Sequence, residues 1–145
     1  MAAVEQNYKN HARLIPSYHI GVLVTLLANI IWQFYQVIQA PSVGTTLATL
    51  VAIALFWMGV SLRTQTLTVQ DRVIRLESRL RFRELLPADV AARAAELPVK
   101  QLVAIRFASD EELPELVGDV VAGKVTEPKA IKLAIKQWQA DHLRA

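Results

Sequence analysis

Apolar residues are concentrated in the first half of this chain. Between Leu14 and Leu62 the sequence contains no Lys, Arg, Asp or Glu. Residues 18–38 and 45–62 form two apolar segments, and roughly 20 such residues are enough for a helix to cross a bilayer. Residues 39–44 separate them, and Pro41 and Gly44 favour a turn there. The pattern therefore predicts a transmembrane helical hairpin.

The charges that flank the two segments predict the orientation of the hairpin. Lys9 and Arg13 precede the first segment, Arg63 and Arg72 follow the second, and residues 39–44 carry no charge. Basic residues are enriched in cytoplasmic loops, so both termini are expected in the cytoplasm. Two other interpretations are a soluble protein with two buried core helices and a cleaved signal peptide followed by one span.

Polar and small residues inside the spans predict contacts with another membrane helix. The polar residues fall on one stripe of the first helix, and the small residues recur at every fourth position of the second. Such residues join helices in a membrane, within the hairpin or with a second protein or copy. The alternative is that the stripe lines a wet path in an oligomer. The predicted contact residues are Thr25, Asn29, Gln33, Gln36, Gly44, Ala48 and Ala52.

Residues 63–84 read as a basic amphipathic helix that continues the second span. Leu62, Val69, Val73, Leu76 and Leu80 follow a 3,4 spacing, with Thr66 at the remaining seam position, which is short for a coiled coil. The surrounding arginines favour anionic headgroups at the bilayer surface. Residues 1–17 are expected to form an interfacial segment with the same preference. The predicted headgroup ligands are Lys9, His11, Arg13, Arg63, Arg72, Arg75 and Arg79.

Residues 85–145 are expected to form a small cytoplasmic helical domain, so that the fold class is all-α. Ser109 and Glu112 have the spacing of a capping box, and that helix should run until Gly123. A last helix is expected to be capped by Thr126 and to extend through Trp138 to His142. The predicted core members are Leu97, Leu102, Ile105, Phe107, Leu113, Leu116, Val117, Val120, Val121, Ile131, Ile135 and Trp138.

Charge alternates in blocks along this second half. Residues 63–83 carry a net charge of +4, residues 84–119 carry −5, and residues 120–145 carry +3. The sequence therefore predicts that the acidic block, through Glu111, Glu112 and Glu115, packs against the basic helix.

The residue types give no pattern for catalysis. The chain has no cysteine and only five glycines, and its three histidines lack metal-ligand spacing. The acidic residues at 110–112 and 115 suit the first turn of a helix. We expect no enzyme activity, no cofactor and no metal, and the net charge of +3 does not favour nucleic acid.

Four segments resemble a family of small bacterial membrane proteins known only as a domain of unknown function. They are QNYKNHAR at residues 6–13, VQDRVIRLE at 69–77, RFASD at 106–110 and WQADHLR at 138–144. The resemblance implies a two-span protein of the bacterial inner membrane and carries no known activity, cofactor or catalytic residue.

Two functions are consistent with these observations. The first is an interaction, assembly or scaffold module that the hairpin anchors in a bilayer with anionic headgroups, with a membrane-protein partner or a second copy. The alternative is a subunit of a small oligomeric channel or transporter, with the polar stripe of the first helix along the path.

Overall fold

The computed structural model describes residues 6–8, 10 and 15–141 of the chain. Over this range the protein is helical, and no β-strand occurs in it; one isolated antiparallel bridge pairs Ala108 with Trp138. A π-helical stretch, Ser17–Val24, leads directly into the first α-helix. The α-helices are α1 (Thr25–Gln39), α2 (Val43–Leu85), α3 (Ala88–Ala94), α4 (Val99–Ile105), α5 (Leu113–Val121) and α6 (Pro128–Ala134).

The break between α1 and α2 is shorter than the sequence predicts. Pro41 cannot donate a backbone hydrogen bond, and Ser42 caps the next helix. The Ser42 hydroxyl accepts a hydrogen bond from the Thr45 amide at 3.1 Å, and the Thr45 hydroxyl accepts one from the Ser42 amide at 3.0 Å. This reciprocal cap starts the helix at Val43, so Gly44 lies within α2 and not in the turn.

The chain divides into two compact units, with the division after Leu67 in α2. We call residues 15–67 the apolar unit. Two helical segments, Ser17–Gln39 and Val43–Leu85, are long and apolar enough to cross a membrane, and the second continues beyond this unit. None of the most apolar stretch of the first is buried, and Ile31, Trp32 and Leu50 are each more than half exposed.

We call the described residues before 11 and after 67 the charged unit. Its core is made of Phe82 of α2 and Leu86, the residue after that helix, together with apolar side chains of α3 to α6. Helix α5 contributes to this core because its apolar residues recur with the 3.6-residue period of a helix and so lie on one face. That face consists of Leu113, Leu116, Val117 and Val120. Eight of the predicted core residues are buried, and Leu97, Val121, Ile135 and Trp138 are half-buried.

The second half of α2 packs on the face opposite to the predicted seam. Ile74, Ser78 and Phe82 are at most 6% exposed, whereas Val69, Val73, Leu76 and Leu80 are 59%, 48%, 62% and 53% exposed. Helix α2 thus has two apolar faces in this region, and the face with Ile74 and Phe82 is the one that packs in the core. The face with the 3,4 spacing has no cover in the described part of this chain.

The prediction that the last helix extends to His142 is wrong beyond Ala134, where α6 ends. Helix α6 begins after Glu127, not Thr126, and Ile135 already has an extended backbone. The Glu112 carboxylate accepts hydrogen bonds from the amides of Lys136 and Gln137 at 3.0 and 3.2 Å. Because these amides are held by Glu112, they do not continue the helical ladder. His142 lies outside the described residues.

The capping box at Ser109 is confirmed, although it closes a turn ahead of α5. The Ser109 amide donates to the Glu112 carboxylate, and the Glu112 amide donates to the Ser109 hydroxyl, both at 3.4 Å. Helix α5 then ends just before Gly123, whose φ of 77° is the left-handed conformation that glycine adopts without strain.

Candidate functional sites

The apolar unit contains a contact between its two helical segments. The Tyr18 hydroxyl donates a 2.7 Å hydrogen bond to the carbonyl of Gly59 in α2. A Cβ atom at Gly59 would lie 3.6 Å from Leu23 and 3.8 Å from Leu26, so these leucines pack beside the glycine with room for one methyl group and no more. The sequence analysis missed Gly59 and Tyr18 as contact residues. The signal in the sequence is the spacing, because Gly59 is a small residue seven positions after Ala52 and so lies on the same face of α2.

Only some of the predicted small contact residues of the second helix face the first helix. Ala52 is 1% exposed and Ala48 is half-buried, but Gly44 is exposed. Thr49, at 7%, is also buried, and it lies on the same face of α2 as Ala52. The contact face therefore runs from Ala48 through Ala52 to Gly59.

The predicted polar stripe of α1 is divided between two environments. Asn29, Gln33 and Gln36 are half-buried, whereas Thr25 is exposed. The Gln33 amide donates to the Asn29 side-chain oxygen at 3.5 Å, a long and weak bond within one helix. The threonine hydroxyls of α2 donate to backbone carbonyls, Thr45 to Ala40 and Thr49 to Thr45. Within the described residues, the amides of α1 therefore do not bond to the threonines of α2.

The predicted headgroup ligands also differ from one another. Lys9, His11 and Arg13 lie outside the described residues. Arg72 is exposed, while Arg63, Arg75 and Arg79 are half-buried. Arg79 donates to the Ala95 carbonyl at 3.4 Å.

The charged unit contains a second candidate site, which we call the arginine cavity. It has a volume of about 400 Å³ and lies between the second half of α2, the end of α4 and the extended segment after α6. Two arginines with 21% and 10% exposed side chains line it, together with carboxylates and apolar groups. The lining residues are Ile74, Glu77, Ser78, Arg81, Phe82, Ile105, Arg106, Gln139, Ala140 and Asp141.

Each arginine of the cavity has an acidic partner. The Nε atom of Arg81 lies 2.6 Å from Asp110, and one terminal nitrogen donates to the Ala108 carbonyl at 2.6 Å. Arg106 lies 3.3 Å from Asp141. The basic helix therefore meets the acidic block at Asp110, rather than at the expected Glu112. Glu112 instead holds the segment after α6, and the charges of the cavity are largely compensated.

An aromatic pair lies next to the arginine cavity. The rings of Phe107 and Trp138 stack with their centroids 4.5 Å apart and an 18° angle between planes. The Arg106 guanidinium lies 4.5 Å from the Phe107 ring, within the range of a cation–π contact. The backbone joins the same residues, since the Gln139 amide donates to the Phe107 carbonyl at 2.7 Å. These contacts fix the extended segment onto the end of α4.

The N-terminal segment reaches this site through Gln6. Its side-chain amide accepts a hydrogen bond from the Asp141 amide at 2.8 Å and donates to the Asp141 carbonyl at 3.3 Å. All four segments that carry the family resemblance therefore contribute to one region of the charged unit. The sequence offered no signal for this pairing, because Gln6 and Asp141 are 135 residues apart.

The described residues contain no cluster of metal ligands at this site. No group of three or more His, Asp or Glu there is placed to hold a metal ion. The pKa of Lys124, outside the cavity, is raised by its hydrogen bond to Asp119 and by the charge of that carboxylate.

Comparison with known proteins identifies the family and nothing beyond it. The family of unknown function DUF6526 matches residues 1–145, and the chain therefore belongs to it. The resemblance to a family of unknown function is confirmed in this form. No curated protein and no solved structure matches the chain.

Proposed function

We propose that this member of the DUF6526 family is a multi-pass protein of the bacterial cytoplasmic membrane that presents its charged unit as an assembly module. In this proposal residues 17–39 and 43–62 form a transmembrane hairpin, and both termini are cytoplasmic. The charged unit binds protein partners and performs no catalysis.

The observation that carries the proposal is the exposure of the apolar unit. Helices of this length and hydropathy are mostly buried when they form the core of a soluble protein. Here none of the most apolar stretch of Ser17–Gln39 is buried, and only 17% of that in Val43–Leu85 is. Each exposed large apolar side chain that lipid covers is stabilised by about 1.5–3 kcal/mol relative to water. A bilayer is the environment that satisfies all of them together.

The contact between Tyr18 and Gly59 supports the hairpin arrangement. The two residues lie 41 positions apart, with residues 40–42 near the midpoint between them, as two antiparallel segments require. The flanking charges described above favour cytoplasmic termini, and the resemblance to small bacterial membrane proteins favours the inner membrane.

Single cysteines test the topology, because the native chain has none to interfere. The Ala40→Cys variant places a thiol in the exposed linker, and Glu111→Cys places a matched exposed thiol in the charged unit. In intact spheroplasts, a membrane-impermeant maleimide should label the first variant and not the second. Lysis should expose the second. Labelling of Glu111→Cys before lysis, with none at Ala40→Cys, would reverse the orientation and refute the proposal.

The channel alternative is tested at Asn29 and Gln33, whose amides meet on the half-buried face of α1. The double variant Asn29→Leu/Gln33→Leu removes this polar pair, and Thr25→Leu is the control on the exposed face. Loss of assembly by the double variant alone supports contact between helices. Intact assembly with loss of solute or ion flux in vesicles supports the channel alternative and contradicts an assembly role.

A further inference from the structure

The exposed face of α2 in the charged unit has the form of one half of a coiled coil. At about 100° per residue, Val69, Val73, Leu76 and Leu80 lie within an arc of roughly 60°. The core-facing residues Ile74, Ser78 and Phe82 lie on the opposite side of the helix. We call the four exposed residues the seam. Each side chain of the seam is about half exposed or more, because no residue in the described part of the chain covers it.

The charges beside the seam are sorted by sign. Arg72 and Arg79 border one edge, and Glu77 and Glu84 border the other. With Val73 and Leu80 at heptad positions a and Val69 and Leu76 at d, the arginines occupy g and the glutamates occupy e. In a parallel pair, a g residue of one helix meets the e residue five positions later in its partner. Arg72 then faces Glu77 of the second copy. Arg79, at the same position one heptad later, donates to the Ala95 carbonyl of its own chain, so the pairing rests on Arg72 and Glu77.

The same charges oppose an antiparallel pair. In that arrangement g positions face g positions and e positions face e positions, so that arginines meet arginines and glutamates meet glutamates. The edge charges therefore select both the orientation and the partner, since a second copy of this chain supplies the complementary edge in register.

We infer that two copies of this protein associate in parallel through the seam, as a short coiled coil whose apolar contacts run from Val69 to Leu80 of α2. This inference deepens the proposed function, because anchorage in one membrane gives both copies the same orientation and a high effective concentration. That concentration matters, since two heptads are short for association in free solution. The partner of the assembly module is then the module itself.

Disulfide formation between copies tests the parallel register. In a parallel pair each seam residue meets its own counterpart, so Val69→Cys and Leu76→Cys should each give a covalent dimer when native membranes are oxidised. Thr68→Cys is the matched control, because Thr68 is exposed, similar in shape to Val69 and directed away from the seam. We expect dimer yields at positions 69 and 76 at least tenfold above that at position 68.

Three outcomes would overturn the inference. Equal yields at 68 and 69 would mean random collision, and a product of another mass would mean a different partner protein. Disulfides only in a mixture of Val69→Cys and Leu80→Cys chains would mean an antiparallel pair. Membrane fractionation of the same samples separates these results from a failure of the anchor, since the variants should remain in the membrane whichever band appears.

Charge exchange supplies a second test that does not depend on cysteine geometry. Arg72→Glu should weaken dimerisation about tenfold, because two attractive pairs per dimer become repulsive. Glu77→Arg should weaken it to a similar extent. The double variant Arg72→Glu/Glu77→Arg should restore dimerisation to near the native level. Additive losses in the double variant would contradict the predicted pairing.

Discussion

Arg81 should contribute more to the stability of the charged unit through the Ala108 carbonyl than through its ion pair. Arg81 lies in α2 and bonds to both Asp110 and Ala108 at 2.6 Å. Ala108 is fully buried, so removing the donor leaves its carbonyl without a charged partner away from water. The Asp110 side chain is 62% exposed, and water can replace its partner.

The expected change in the free energy of unfolding follows from the burial of the Ala108 carbonyl and the exposure of Asp110. We expect Arg81→Met, which retains most of the aliphatic stem, to lower the free energy of unfolding by about 2–4 kcal/mol. About 1.5–3 kcal/mol of this comes from the hydrogen bond to the buried carbonyl, and at most about 1 kcal/mol from the exposed ion pair. Asp110→Asn should therefore cost less than about 1 kcal/mol.

Urea unfolding in detergent micelles provides the assay, with Trp138 as the reporter. Replacing Trp32 and Trp57 by Phe leaves Trp138, which stacks on Phe107 within the same unit. In this background Arg81→Met should lower the urea midpoint by roughly 1–2 M, given a slope of about 2 kcal/mol per molar urea. Equal losses in Arg81→Met and Asp110→Asn would refute the reasoning, because the ion pair would then account for the whole effect.

Three further predictions concern the core, the N-terminal segment and the contact in the apolar unit. Phe82→Ala should destabilise the charged unit by about 3–5 kcal/mol in the same urea assay, whereas Leu133→Ala, whose side chain is exposed in α6, should change it little. Gln6→Ala should accelerate hydrogen exchange of the Asp141 amide, whereas Asn10→Ala, whose side chain accepts from the nearby Asn7 amide, should not. Gly59→Ala should be tolerated because its Cβ fits at 3.6 Å from Leu23, whereas Gly59→Leu should lower the thermal unfolding midpoint in micelles. An unchanged midpoint in Gly59→Leu would mean that this contact does not hold the two segments together.

The sequence predicts the elements of this fold where local signals act alone. The reciprocal bonds of Ser109 and Glu112 and the left-handed Gly123 bracket α5, and both are readable from residue types and spacing. The two apolar segments are equally visible, because an uninterrupted run of apolar residues needs no partner to be recognised.

The errors arise where residues distant in sequence decide the outcome. Residues after Ala134 have good helix formers, but Glu112 binds their amides and Phe107 stacks on Trp138, and these contacts override local preference. Helix α2 bears apolar residues on two faces, and periodicity cannot tell which face meets the core. The bond of Gln6 to Asp141 involves no local pattern at all.

Extraction of native membranes at alkaline pH tests the central claim most directly. An integral hairpin formed by the Ser17–Gln39 and Val43–Leu85 helices should keep the full-length protein in the pellet after carbonate washing and release it only in detergent. Recovery of the protein in the carbonate supernatant, or in the soluble fraction before any wash, would contradict membrane integration and the proposed function with it.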